Sequence, residues 1–144
     1  MGRKNSPSAN KELNELIAQY ETARAENRQL YLDGDQLADI ADQYAAERKF
    51  NEAQEVITYG LHLHPDSTDL LVEQAYLYLD TGKIPLAKKV VESITDEYDT
   101  DVKMLKAELM LNEGQLENAR NVLDTIEDAD ELETIINIVY LYMD

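Results

Sequence analysis

The strongest constraint on this chain is that it repeats itself. YLYLD at 76–80 returns as YLYMD at 140–144, an offset of 64, or two steps of 32. The intermediate step is visible as well. LLVEQAYLYLDTGKIPLAKKVVESI (70–94) lies over VKMLKAELMLNEGQLENARNVLDTI (102–126) without a gap. Ala75/Ala107, Leu77/Leu109, Leu79/Leu111, Gly82/Gly114, Ala87/Ala119, Val90/Val122 and Ile94/Ile126 coincide. One step earlier the shift is 34, matching Leu37, Ala41, Tyr44, Lys49, Ala53 and Val56 to Leu71, Ala75, Tyr78, Lys83, Ala87 and Val90. A period of this size marks an array of small units, each too short to bury its apolar face alone.

Each unit reads as two helices. Leu71, Ala75, Tyr78 and Leu79 recur at i, i+4, i+7 and i+8, one face of a helix. Gly82 breaks the pattern and supplies the left-handed residue that ends many helices. Pro85 sits where a first helical turn tolerates it, and Ile84, Ala87, Val90, Val91 and Ile94 form a second apolar face. A turn this short makes the two helices antiparallel neighbours. Ala41, Ala75 and Ala107 on the first helices, with Ala53, Ala87 and Ala119 on the second, allow close approach.

These residues resemble the tetratricopeptide repeat. The first unit supplies Ala41, Tyr44, Phe50, Ala53, Ile57, Gly60 and Pro65, the second Ala75, Tyr78, Gly82, Ile84, Ala87 and Val91, and the third Ala107, Met110, Gly114, Leu116, Ala119 and Leu123. Val139 and Tyr142 stand at the small and tyrosine positions of a fourth first helix. Departures occur: Leu37, Leu71, Lys103 and Ile135 replace the family's early tryptophan, Pro65 is the one retained proline, and Arg48 takes the turn glycine's place. YLDGDQLADIADQYAAERKFNEAQEVITYGLHLHP also resembles the opening of bacterial members. The resemblance implies an all-α fold, a right-handed α-α superhelix of antiparallel helix pairs with about eight helices. The expected layout is a flexible segment 1–9, a capping helix 10–31 and a repeat domain 32–144, with repeats near 34–67, 68–99 and 100–131 and a first helix at 132–144. Leu13, Leu16, Ile17 and Tyr20 share the face that would cap the first repeat. The chain stops inside the apolar run TIINIVYLYMD, so a truncated array is expected.

Composition excludes several functions. The net charge is −17, from 13 basic and 30 acidic groups. Residues 1–30 carry 5 basic and 4 acidic groups and residues 31–144 carry 8 and 26, so the acidity belongs to the repeats. Such a surface repels nucleic acid and anionic membranes. No run of 18 apolar residues exists, and the basic pair Arg3-Lys4 is followed by no apolar segment, so neither a membrane span nor a signal peptide is expected. Met1-Gly2 with Ser6 fits a loose acylation pattern, against which bulky Arg3 speaks. The chain lacks cysteine, and a cytoplasmic location is expected.

No chemistry of catalysis emerges. His62 and His64 are two apart, where their rings diverge on a helix, whereas a zinc pair prefers i, i+4. The acid runs DEYDTD (96–101) and EDADELE (127–133) lack the central glycine of a calcium loop and suit helix capping. There is no Gly-rich phosphate loop and no nucleophile motif. The expected protein is therefore no enzyme and takes no cofactor or metal.

The resemblance places the first helices along an inner groove where peptides dock. It implies a groove of Asp42, Val72, Tyr76, Leu79, Asp80, Met104, Glu108 and Tyr140, apolar and acidic with no Lys or Arg. Such a stripe fits a protein or peptide partner that is basic or apolar. Relatives that clamp a carboxylate terminus do so with cationic groups. Here those positions are Ala38, Asp42, Glu73, Asp101 and Leu105, which would repel an anionic end. The alternative is a structural module that self-associates through the solenoid end (Ile135, Ile138, Val139, Tyr142) or the N-terminal helix.

Overall fold

The computed structural model describes residues 7–126, which form seven α-helices and no strand. They are α1 (Pro7–Ala25), α2 (Gly34–Ala46), α3 (Phe50–Leu63), α4 (Thr68–Asp80), α5 (Ile84–Ser93), α6 (Thr100–Asn112) and α7 (Leu116–Leu123). The fourth first helix expected at 132–144, with Tyr140 and the apolar end residues, lies outside the described residues. So do the 127–133 acid run and the acylation pattern at residues 1–6.

The repeat is written into the caps. Asp33, Ser67 and Asp99 each accept a hydrogen bond from a backbone N–H in the first turn of α2, α4 and α6. Asp33 does so within a reciprocal capping box, its own backbone N–H donating to Gln36. At the other end of these helices the chain turns through a left-handed residue. The backbone N–H groups of Lys49, Lys83 and Gln115 reach back to the carbonyls of Tyr44, Tyr78 and Met110 at 2.7–2.8 Å. The residues before them are Arg48 (φ 60°), Gly82 (φ 76°) and Gly114 (φ 77°). This Schellman closure satisfies the last carbonyls of each first helix and delivers the chain straight into the second. Arg48 adopts the conformation that glycine adopts in the other two units.

The cores interlock between units. Ala41, Ala53, Ala75, Ala87, Ala107 and Ala119 are all at most 1% exposed. Leu70 and Leu77 of α4 belong to the cluster built by α2 and α3, and Val102, Leu105 and Leu109 of α6 complete that of α4 and α5. Each first helix thus closes the preceding pair, the nearest-neighbour logic of a solenoid. Gly60 of α3 marks a close approach: a Cβ there would lie 2.8 Å from a Leu70 methyl. Between α3 and α4, Gln54 and Gln74 exchange a reciprocal pair of amide hydrogen bonds at 2.8 and 3.0 Å. At the N-terminal end, α1 buries Tyr20 and Ala23 and packs Leu13, Leu16 and Ile17 against the first cluster. The Tyr44 hydroxyl donates to the Glu21 carboxylate at 2.8 Å.

The packing gives the array a curvature. Among the described residues α2 packs on α4 and α4 on α6, whereas no comparable contact joins α3 to α5 or α5 to α7. Helices close on one side and splayed on the other bend the array, with α2, α4 and α6 on its inner side.

Candidate functional site

The inner face is built from positions spaced about one turn apart on α4 and α6. Asp69, Val72, Tyr76 and Asp80 run along α4, and Asp101, Met104, Glu108 and Asn112 along α6. The expected groove residues separate into two groups. Val72 and Met104 are 6% and 4% exposed and belong to the second and third core clusters, so they offer a partner almost no surface. The apolar spacing that marked them as groove residues is the same spacing that fills the interior. Asp42, Tyr76 and Leu79 are half-buried, Glu108 is half-buried and Asp80 is exposed.

Tyr76, Asp80 and Glu108 form one electrostatic unit. Burial pushes the Glu108 carboxyl above its ordinary range and the Asp80 charge adds to the rise, while a polar contact from the Tyr76 hydroxyl opposes it. Burial also raises the Tyr76 hydroxyl well above its usual value, reinforced by Glu108, Asp101 and Glu73, so it remains a neutral donor. Partial desolvation raises Asp80, opposed by Arg48. One Glu108 carboxylate oxygen, shielded from water, has no hydrogen-bond donor among the described residues. The arrangement concentrates negative charge where water is partly excluded and leaves acceptor capacity unused. A cationic or hydrogen-bond-donating group entering here would lower the cost of that desolvation.

Arg48 is the residue that the sequence pattern missed. It lies close enough to Asp80 to lower its carboxyl pKa, and its guanidinium sits 5.4 Å from the Phe50 ring centre. The expected groove residues include no Lys or Arg, and Arg48 adds a cation at their edge. The signal was its replacement of the turn glycine, which puts a long side chain where the other units have nothing.

Other polar features have internal explanations. His64 at the end of α3 contacts the Leu32 carbonyl through Nε2 at 2.8 Å, and its ring meets Tyr31 edge-on at 5.4 Å. Asp99 caps α6. No group of His, Asp and Glu among the described residues is arranged to hold a metal ion, and no described helix is long and apolar enough to cross a membrane. A hollow of about 490 Å³ lies between the end of α1 and α3, lined by Tyr20, Arg24, Arg28 and Tyr59 among others. Its arginines already face acids, Arg24 toward Glu55 at 4.0 Å and Arg28 toward Glu26.

Comparison with known proteins agrees with the fold. Residues 44–109, from the end of α2 into α6, match the family model described as tetratricopeptide repeat. No curated protein and no solved structure matches the chain. Helix pairs that recur with the same caps, turns and buried alanines agree with this match, which identifies residues 44–109 as tetratricopeptide repeat.

Proposed function

We propose that this protein is a non-catalytic interaction scaffold whose inner face holds a basic or apolar segment of a protein partner. The match to the repeat family points to protein–protein interaction in general. The observation that carries the narrower reading is the Tyr76, Asp80 and Glu108 unit, in which carboxylates are held partly away from water with their pKa values raised. Lysine or arginine side chains would meet Asp80 and Glu108, Tyr76 would offer a ring face and a hydroxyl, and Leu79 an apolar contact. Arg48 at the edge would turn away a cation arriving beside Asp80 in the wrong register.

A peptide array carrying basic, acidic and apolar segments tests the reading. Preferential capture of basic or basic–apolar peptides is expected, and capture without regard to charge would refute it. Self-association through α1 receives less support, because Leu13, Leu16, Ile17 and Tyr20 are engaged with the first cluster.

A further inference from the structure

We propose that Arg48 is a specificity-determining residue of the inner groove: it selects partner segments in which an acidic residue accompanies the basic ones that Asp80 and Glu108 hold. This rests on the reading of the groove as a receptor for basic segments. The observation behind it is a side chain where the other units have none. Arg48, Gly82 and Gly114 occupy the same left-handed turn position, at φ 60°, 76° and 77°. Glycine adopts that conformation freely, whereas a Cβ strains it. A strained residue in a turn that glycine closes twice without strain points to a role for its side chain.

The guanidinium is placed and left open. It lies 5.4 Å from the Phe50 ring centre, and a cation against a ring keeps its in-plane N–H groups for other acceptors. Its chain neighbours Glu47 and Lys49 pair with each other at 3.6 Å. The Arg48 charge is near enough to Asp80 to act on its carboxyl, yet the two form no ion pair among the described residues. Because α2 packs on α4 and α4 on α6, one charge from each unit follows along the array: Arg48 after α2, Asp80 at the end of α4 and Glu108 on α6. Neighbouring packed helices are about 8–10 Å apart, the length of roughly three residues of extended chain. A segment crossing these helices meets one positive and then two negative groups at that spacing. Its complement is an acid followed by bases about three and six residues away, in one of the two chain directions. A carboxylate at Arg48 gains a charged, forked donor, and a cation there is repelled.

Peptides with two lysines three residues apart, and Asp, Asn or Lys three residues beyond either one, test this by fluorescence anisotropy against the full chain. In one of the two directions the Asp peptide should bind the unaltered chain about fivefold more tightly than the Asn peptide, the upper range for an exposed ion pair. R48G and R48M should erase that preference, and R48E should prefer the Lys peptide. R48G should melt no lower than the unaltered chain, because glycine relieves the turn, so the lost preference is not a lost fold. A lower melting temperature would overturn the strain argument. An Asp preference that persists in R48M would overturn the proposal. Binding of the Asp and Asn peptides with equal affinity in both directions would overturn it while leaving the groove reading intact. No binding of any of these peptides would overturn both.

Discussion

Replacing Tyr76 with phenylalanine isolates the polar core of the groove. The ring and its packing remain, and only the hydroxyl that contacts Glu108 is lost. A hydrogen bond to a charged group contributes about 1.5–3 kcal/mol. Glu108 is only half-buried, so solvent weakens the contact, and a loss of about 1 kcal/mol at neutral pH is expected. The loss should depend on pH in one direction. Burial raises the native Glu108 pKa, so the group disfavours the native state while ionised, and that penalty disappears as pH falls toward its unfolded value of 4.5. The Tyr76 hydroxyl opposes the rise, and its removal moves the native pKa further upward. The Y76F penalty should therefore be full at pH 7 and much smaller at pH 4. Urea unfolding of both chains at the two pH values, followed by circular dichroism, measures it. E108Q completes a double-mutant cycle: it should be neutral or stabilising at pH 7, and Y76F should then cost less in its presence. A Y76F penalty that is the same at pH 7 and pH 4, or unaltered by E108Q, would refute this account.

Other perturbations follow from the fold. The buried Tyr20 hydroxyl has no hydrogen-bond partner among the described residues, so Y20F should leave thermal stability unchanged or raise it by up to about 1 kcal/mol. Q74L should cost about 1 kcal/mol by removing both amide bonds to Gln54, whose carbonyl oxygen loses its donor while its NH2 keeps Thr58, and the Q54L/Q74L pair should regain most of it in denaturant titrations. G82A should cost about 1–2 kcal/mol through backbone strain alone, because φ is 76° and a Cβ there would meet nothing within 4 Å. A G82A melting temperature equal to that of the unaltered chain would show that the turn relaxes.

Much of the fold was legible because the repeat forces it. The alanine pairs, Gly82 and Gly114 stand at fixed offsets, and each occupies the close contact or left-handed turn that its position requires. The site was less legible. Val72 and Met104 have the same helical spacing as Tyr76 and Glu108, and spacing alone does not tell an inner-face position from one turned into the neighbouring unit. Which it is depends on the rotation of each helix, and that is set by contacts between units such as Leu70 against Gly60. Arg48 escaped for a different reason. Its partner Asp80 lies in the next unit, and the spacing of residues within one unit does not reveal the packing of α2 on α4 that relates the two helix ends.

The central claim is that the acid-and-tyrosine face of α4 and α6 selects a basic segment. Calorimetric titration of the best-captured array peptide into the unaltered chain and into D80K/E108K tests this most directly. The two reversals should weaken binding by at least about tenfold, or 1.4 kcal/mol, and flatten its dependence on salt. Equal affinity and equal salt dependence in both proteins would contradict the account.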